Sequence, residues 1–447
     1  MSDISSFAKT IKGDVVTPDD ADYANSIARW AKNCRTQRES RRARQRQRRT
    51  SSSPLPMPKE HKLPIAIRGG GHNAAGASSV EGGLVIDLKR HINHVRIDAE
   101  KKLGYVGWGR HLGSGRPGGY QIWSRDRRRD CNHTGVGGLT LGGGYGWLAG
   151  RHGLTIDNLK QPMAQSWTAN DTENSDLFWA IRGGGSNFGV ATELGLPTAP
   201  AEEDRYSQVT PYTCPDKVEK LVELTKKWLD NVGEDEGIGS GCCCHSGRQS
   251  PSLSLSSFIM GLRRRDEHII KKFFDVGPVV DNVREIPYEQ LNSLQNPQAA
   301  HGRCYYLKGV SQASPNYKAT MELIHKVPVS AMAFRRQISS NILTNVSWEE
   351  GVDKAAEARE IAKELVDIVL RGQGNSLDDA EKSGYTNYDH DDIDIHIPSA
   401  SIASPTGDHW AKRADLAFAS NYPKLQQIKK VYDPENIFNR WYPITPA

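Results

Sequence analysis

Leu63-Pro64-Ile65-Ala66-Ile67-Arg68-Gly69-Gly70-Gly71-His72-Asn73 is the stretch on which the reading of this chain turns. Its first half has the short apolar run of a strand. Three consecutive glycines follow, and then a histidine. Glycine has no Cβ, so the backbone N–H groups of such a loop can approach and face a bound anion. A histidine at the end of the loop is placed to touch whatever the loop holds. Two more glycine clusters follow within the first 190 residues, at Gly135–Gly146 and at Gly183–Gly189. They are either three unrelated turns or three loops converging on one extended ligand.

The common nucleotide motifs are absent. No GxxxxGK is followed by Ser or Thr, so there is no phosphate-binding P-loop. Gly135-Val136-Gly137-Gly138-Leu139-Thr140 has Thr140 where a dinucleotide fingerprint needs its last glycine, so nicotinamide binding is not supported. There is no GxSxG elbow and no HExxH. The seven cysteines are odd in number and form no CxxC pair, which argues against zinc and against a disulfide framework. Cys242-Cys243-Cys244 reads as a loop cluster, since adjacent residues converge poorly on one ion. His133, His152 and His301 read as structural.

The chain has 447 residues, 37% of them apolar and 25% charged, with a net charge of +5. That length predicts two or three domains. The positive excess is local, in the arginines of Arg35–Arg49 and Arg125–Arg129. No aromatics interleave with the first run, so it reads as a solvated insert rather than a nucleic-acid surface. The N-terminus has no basic stretch followed by an apolar core. No apolar run approaches the roughly 18 residues that span a bilayer. The expectation is a soluble, cytoplasmic protein with no membrane or nucleic-acid partner.

Periodicity predicts a helical entry over residues 1–32, with Thr17-Pro18-Asp19-Asp20 as its start and Tyr23, Ile27 and Trp30 on one face. Strands are expected at Leu63–Ile67 and Gly83–Leu88, and a hairpin-like pair at Val95–Asp98 and Gly104–Gly107. Amphipathic helices are expected at Asp216–Val232, Gly351–Leu370 and Asn421–Asn436.

Arg68-Gly-Gly-Gly-His72-Asn73, Gly83-Leu-Val-Ile-Asp87-Leu88, Cys131-x-x-x-Gly135-Val-Gly-Gly138 with Gly142-Gly-Gly-Tyr-Gly146, Arg182-Gly-Gly-Gly-Ser-Asn-Phe-Gly-Val190, Tyr385-Thr-Asn387-Tyr388 and Tyr432-Asp-Pro-Glu-Asn436 resemble, in order and spacing, the FAD-dependent oxidases of the berberine bridge enzyme-like family. The resemblance implies an α+β, two-domain FAD-binding fold of the vanillyl-alcohol oxidase/p-cresol methylhydroxylase (PCMH) type, with an antiparallel-sheet substrate domain. It implies covalent FAD joined through His72, and through Cys131 in members with two tethers. Backbone groups of Arg68, Gly69, Gly70, Gly71, His72 and Asn73 would bind the pyrophosphate. Gly137, Gly138, Gly142, Gly143 and Gly146 would line the cleft, and Gly189 and Val190 would meet the ring or ribityl chain. Tyr388 matches the catalytic base, and Asn387 beside it is the second residue expected in the catalytic site. A free tyrosine has a pKa near roughly 10, so such a base needs a stabilising neighbour. The implied reaction is hydride transfer from a small alcohol, sugar or secondary metabolite to flavin, with O2 as acceptor. An inactive relative keeping the fold is the alternative.

The expected division is residues 1–205 for the FAD domain, 206–404 for the substrate domain, and 405–447 returning to complete the first. Segments 33–59, 110–130 and 237–251 lack the family's pattern and are expected to be irregular, each reading as a frame-shifted replacement for family sequence. A strand pair also looks truncated between Leu159 and Thr168.

Overall fold

The computed structural model describes residues 7–9, 11, 13–34, 41–45, 63–112, 120–122, 132–146, 149–164, 167–200, 205–208, 215–231, 236–243, 252–260, 271–278, 284–287, 293, 296, 299–312, 332–333, 340–371, 385–388 and 414–447. Ile65–Arg68 (β3) and Leu84–Asp87 (β4) form the strands expected around the first glycine loop, paired in parallel from Ile65↔Leu84 to Arg68↔Asp87. Every residue of β4 is buried, as in a strand covered on both faces.

The other two strands of that sheet, Gly13–Val16 (β1) and Arg41–Gln45 (β2), in the order β1-β2-β4-β3, correct the sequence reading. Gly13–Val16 (β1) lies in the segment expected to be helical, and α-helix is left there only at residues 7–9 and at Tyr23–Ile27 (α1) among the described residues. Thr17–Asp20 is a side-chain-locked turn, its Thr17 N–H and hydroxyl both donating to Asp20 Oδ2 at 2.6 and 3.0 Å. Within the segment expected to be an irregular insert, Arg41–Gln45 (β2) pairs in parallel with β4 and antiparallel with β1. The physical reason is that a ladder is made by main-chain groups. The buried β4 needs partners on both edges, whatever side chains the partner carries.

A second sheet, β5-β6-β9-β7, is antiparallel. The expected hairpin is present: Val95–Asp98 (β5) pairs with Leu103–Gly107 (β6) from Val95↔Val106 to Asp98↔Leu103. Glu193–Pro200 (β9) carries both Tyr120–Ile122 (β7) and Gln161–Met163 (β8). Strand therefore occurs inside segment 110–130 and in the span after Leu159. The main core lies among the two sheets, the helix Ser175–Gly184 (α2) and the C-terminal helix Tyr422–Tyr432 (α3). Leu177, Phe178 and Ile181 supply one side, Leu194 and Leu196 the sheet, and Leu425, Ile428 and Ile444 the returning C-terminus.

The second half holds an antiparallel sheet of Arg205–Gln208 (β10), Glu236–Cys243 (β11), Ser252–Met260 (β12) and Arg284–Pro287 (β13), in the order β11-β12-β10-β13. Its edge strand Glu236–Cys243 (β11) again occupies a stretch expected to be unpatterned. Arg303–Gln312 (β14) and Ser340–Glu349 (β15) form a ten-residue antiparallel ladder. The helix Ala355–Arg371 (α4) packs Ala358 and Ala362 on Tyr306, Val346 and Trp348 of that ladder. This is the expected α+β fold with an antiparallel-sheet second half.

C-terminal residues lock onto the third glycine cluster. The wholly buried Lys429 donates to the Asn187 carbonyl at 2.5 Å, to Asp433 at 2.6 Å and to the Phe438 carbonyl at 2.6 Å. Burial pushes its pKa below the ordinary lysine value, with the Asp433 carboxylate opposing that shift. No helix among the described residues is long and apolar enough to cross a membrane.

Candidate active site

The first glycine loop leaves β3 at Arg68, whose guanidinium is buried. It pairs with Asp87 at 2.8 Å and donates to the carbonyls of Ser26 and Ala28 at 2.8 and 2.9 Å. Arg29 fills the same region, donating to the Ser78 carbonyl at 2.7 Å and to the Ile27 carbonyl at 3.0 Å. Lys89 lies close enough for Arg68 and Arg29 to lower its pKa, together with burial as the main cause. Arg68, Arg29 and Lys89 thus lie near one another beside the loop, with the Asp87 carboxylate paired to Arg68. That local excess of positive charge suits an anionic ligand on the loop.

The second loop is pressed onto the first at the level of bare backbone. A Cβ on Gly70 would stand 2.4 Å from the nitrogen of Gly135, and a Cβ on Gly135 would stand 2.3 Å from the nitrogen of Gly70. Neither position tolerates a side chain. Trp108 forms the floor beneath both loops. A Cβ on Gly69 would meet its ring at 2.9 Å and one on Gly137 at 2.4 Å. The Trp108 N–H donates to the Thr192 carbonyl at 2.9 Å, which joins the floor to the segment following Gly189-Val190. The first two glycine clusters therefore meet at one tryptophan, whose backbone is bonded to the segment just after the third. Gly138 and Gly189 present faces with no heavy atom within 4 Å of a would-be Cβ. Open glycine faces near a loop with neighbouring cations fit the binding of an extended, pyrophosphate-containing ligand such as FAD.

The far end of the second loop is held by the Tyr385–Tyr388 segment. Asn387 donates to the Tyr385 hydroxyl at 2.8 Å and to the Gly142 carbonyl at 3.4 Å. The Gly144 N–H donates to the same tyrosine oxygen at 3.1 Å. Gly142 is required here, because a Cβ would fall 2.2 Å from the Asn387 side chain. The Asn387 amide is thus committed to bracing the loop. Tyr388 meets the Tyr385 ring edge-on at 4.9 Å and packs beside Leu154, Ile156 and Met332.

His72 is half-buried and sits in a column of rings. Trp30 stacks on it at 4.1 Å and 9°, and His133 at 5.0 Å and 24°. Asn73 uses its side chain locally, accepting the Ala77 N–H at 3.1 Å. Gly71 turns the loop with φ +72° and accepts the Trp30 N–H at 3.2 Å. Gly143 (φ +112°) accepts the Ile156 N–H at 2.9 Å, and Gly146 accepts from Ala149 at 3.0 Å. Val190 packs against the main core. Cys131 lies outside the described residues, as does the run Arg127–Asp130.

Four groups at this site escaped the sequence reading. Trp108 was signalled only by its flanking glycines. His133, read as structural, shares the column with His72, and His301 meets His133 at 4.2 Å. His111 is pushed down to about 4, chiefly by burial and then by Lys89, His133, Arg68 and His301. Above its ordinary value of 6.5 the ring is neutral folded and unfolded alike. As pH falls from there toward 4, the unfolded chain binds a proton that the folded chain refuses, so stability is lost across that window. His111→Gln is expected to flatten the loss, measured as urea midpoints at neutral pH and near pH 5. No group of three or more metal-ligating side chains occurs among the described residues.

Known proteins agree with this geometry. Residues 55–162 match the family model "FAD binding domain", and residues 384–444 match "Berberine and berberine like". The chitooligosaccharide oxidase of Gibberella zeae is 35% identical over 87% of this chain and 83% of its own length. The FAD-linked oxidoreductase pgmH of Aspergillus terreus is 25% identical over 100% of this chain and 96% of its own. The 6-hydroxy-D-nicotine oxidase of Arthrobacter nicotinovorans superposes with a TM-score of 0.78 at 21% identity, over 98% of each chain. The glycine cradle, its cationic backing and these matches place the chain in the FAD-linked oxidoreductases of the berberine bridge enzyme-like family.

Proposed function

We propose that this FAD-linked oxidoreductase is an oxidase of a small alcohol, sugar or secondary metabolite, with His72 as the covalent flavin tether, Tyr388 as the base and O2 as the electron acceptor. The observation that carries the reading is the two-ended bracing of one glycine loop. His133 meets His72 at its beginning, and Asn387 meets Gly142 at its end. Six helical residues, Val136–Leu141, separate those ends, about 9 Å at the usual rise per residue. A ring system lying along the loop would reach from the tether to the tyrosine.

The backbone of Gly69–Gly71 would hold the pyrophosphate, with Arg29, Arg68 and Lys89 supplying a favourable field near it. Bound flavin supplies a two-electron acceptor for a hydride. The Tyr388 oxygen takes the substrate's hydroxyl or amine proton as the hydride leaves carbon. Asn387 holds Tyr385 and the loop in place, which makes it a positioning residue. Cys131 is a second tether in this reading. The FAD domain comprises residues 1–205 and 405–447, and residues 206–404 form the substrate domain.

Acid precipitation tests the tether. Wild-type protein should keep its flavin absorbance in the pellet, whereas His72→Ala should release at least nine-tenths of it. Release of all flavin by wild type sinks the tether. The reaction is tested by oxygen uptake with a panel of oligosaccharides, alcohols and cyclic amines. Tyr388→Phe should lose roughly two to four orders of magnitude of turnover if its oxygen is the base, and an unchanged rate removes it from that role.

A further inference from the structure

The rings around His72 continue well past its immediate neighbours. Tyr305, on β14, stacks on Trp30 at 4.0 Å and 14°. Trp30 stacks on His72, His72 on His133, and His133 meets His301. Trp30 and His133 both stack on the His72 ring, so its plane is set by two neighbours from different parts of the chain. The column is anchored at the Trp30 end. Trp30 is 4% exposed and its indole N–H donates to the Ala299 carbonyl at 2.8 Å. Tyr305 is 1% exposed and its hydroxyl donates to the Ala300 carbonyl at 2.6 Å. Asn33, three residues after Trp30, exchanges two hydrogen bonds with the Tyr305 backbone, at 3.0 and 2.9 Å. Rotating Trp30 or Tyr305 would break one of these partly buried hydrogen bonds.

Packing of this kind is more than His72 needs to fill space. A histidine side chain on a glycine-rich loop has free rotation about both of its torsions, and a tether forms only from the rotamer that reaches its target. Holding a reacting group in one orientation is a recognised source of rate. We propose that Trp30 and His133 are positioning residues for His72, clamping its imidazole plane so that covalent attachment of flavin proceeds from one pre-set ring orientation. This rests on the reading of His72 as the tether. Attachment removes the imidazole N–H proton and one C–H of the flavin 8α-methyl group and forms the N–C bond. It delivers two electrons to the flavin ring, from which O2 takes them to give H2O2.

Full-length apoprotein, produced under riboflavin starvation, would be mixed with FAD in air. Total bound flavin after desalting and flavin retained after acid precipitation would then be followed with time. For Trp30→Ala, total binding should stay within twofold of wild type while the rate of acid-stable attachment falls at least tenfold. Trp30→Phe restores a stacking ring without the indole N–H and should recover most of that rate. A role confined to folding would instead lower both quantities together. Wild-type attachment rates in Trp30→Ala overturn the clamp and leave the tether standing. A wild-type protein that retains no flavin in acid overturns the tether, and the clamp with it. Should Trp30→Ala be insoluble, Trp30→Leu and His133→Ala make the same comparison, and wild-type rates in both overturn the proposal.

Discussion

Gly135→Ala is expected to yield a protein that purifies without its yellow colour. The added methyl would stand 2.3 Å from the nitrogen and 2.6 Å from the Cα of Gly70. Both opposing atoms are main chain, so no rotamer change can relieve the clash. The two loops must separate, at a cost of about 1–3 kcal/mol for overpacking. The greater effect falls on the ligand, because the loops that part are the two that form the cradle. Flavin content below one-tenth of wild type is the expected result, read from the absorbance of purified protein. Gly138→Ala is the informative partner. Its methyl meets no protein atom within 4 Å, so the variant should unfold at the wild-type temperature. Any flavin it loses then reports contact with the cofactor itself. Full flavin in Gly135→Ala would show that the loops do not meet as described.

Asp433→Ala should be the most destabilising single change in the C-terminal segment. Lys429 is wholly buried and Asp433 is its only carboxylate partner among the described residues. Removing one member of a buried pair leaves the other charge uncompensated, a loss of about 3–5 kcal/mol. Asp433 also accepts the N–H groups of Ile437 and Phe438 at 3.0 and 2.9 Å, so the turn leaving α3 loosens as well. Lys429→Met removes the charge and keeps the volume. It should cost less than Asp433→Ala, and adding it to Asp433→Ala should recover part of the loss. Thermal unfolding of the two single variants and the double variant makes the comparison. Equal shifts for the two single variants would mean that the lysine is not held as a charge.

The residues that could be read in the sequence are those whose local pattern has one physical meaning. Arg68–Asn73 is a strand end followed by three glycines, and only a close-approach loop needs that. Val95–Asp98 and Leu103–Gly107 carry the spacing of a hairpin, and the ladder pairs them as expected. Ala355–Arg371 keeps an apolar stripe at helical spacing and forms a helix of 17 residues. Arg41–Gln45 carries no such pattern. It is a strand because β4 presents an edge to pair with, and that edge belongs to another part of the chain. Glu236–Cys243 is similar, its glycines and cysteines taking their form from β12. The ring column around His72 was illegible for another reason. Its members come from the N-terminal segment, two glycine loops and the start of β14, and apart from His301 and Tyr305 no two of them are near in sequence.

The brace from Asn387 and Tyr385 to Gly142 and Gly144 bears on when the protein can first take up its cofactor. A ribosome that has made the first 200 residues has already produced all three glycine clusters. It has made neither the residues that fix the far end of the second cluster nor the lysine that secures the third. These anchors on the second and third clusters can form only once the C-terminal part of the chain has been made.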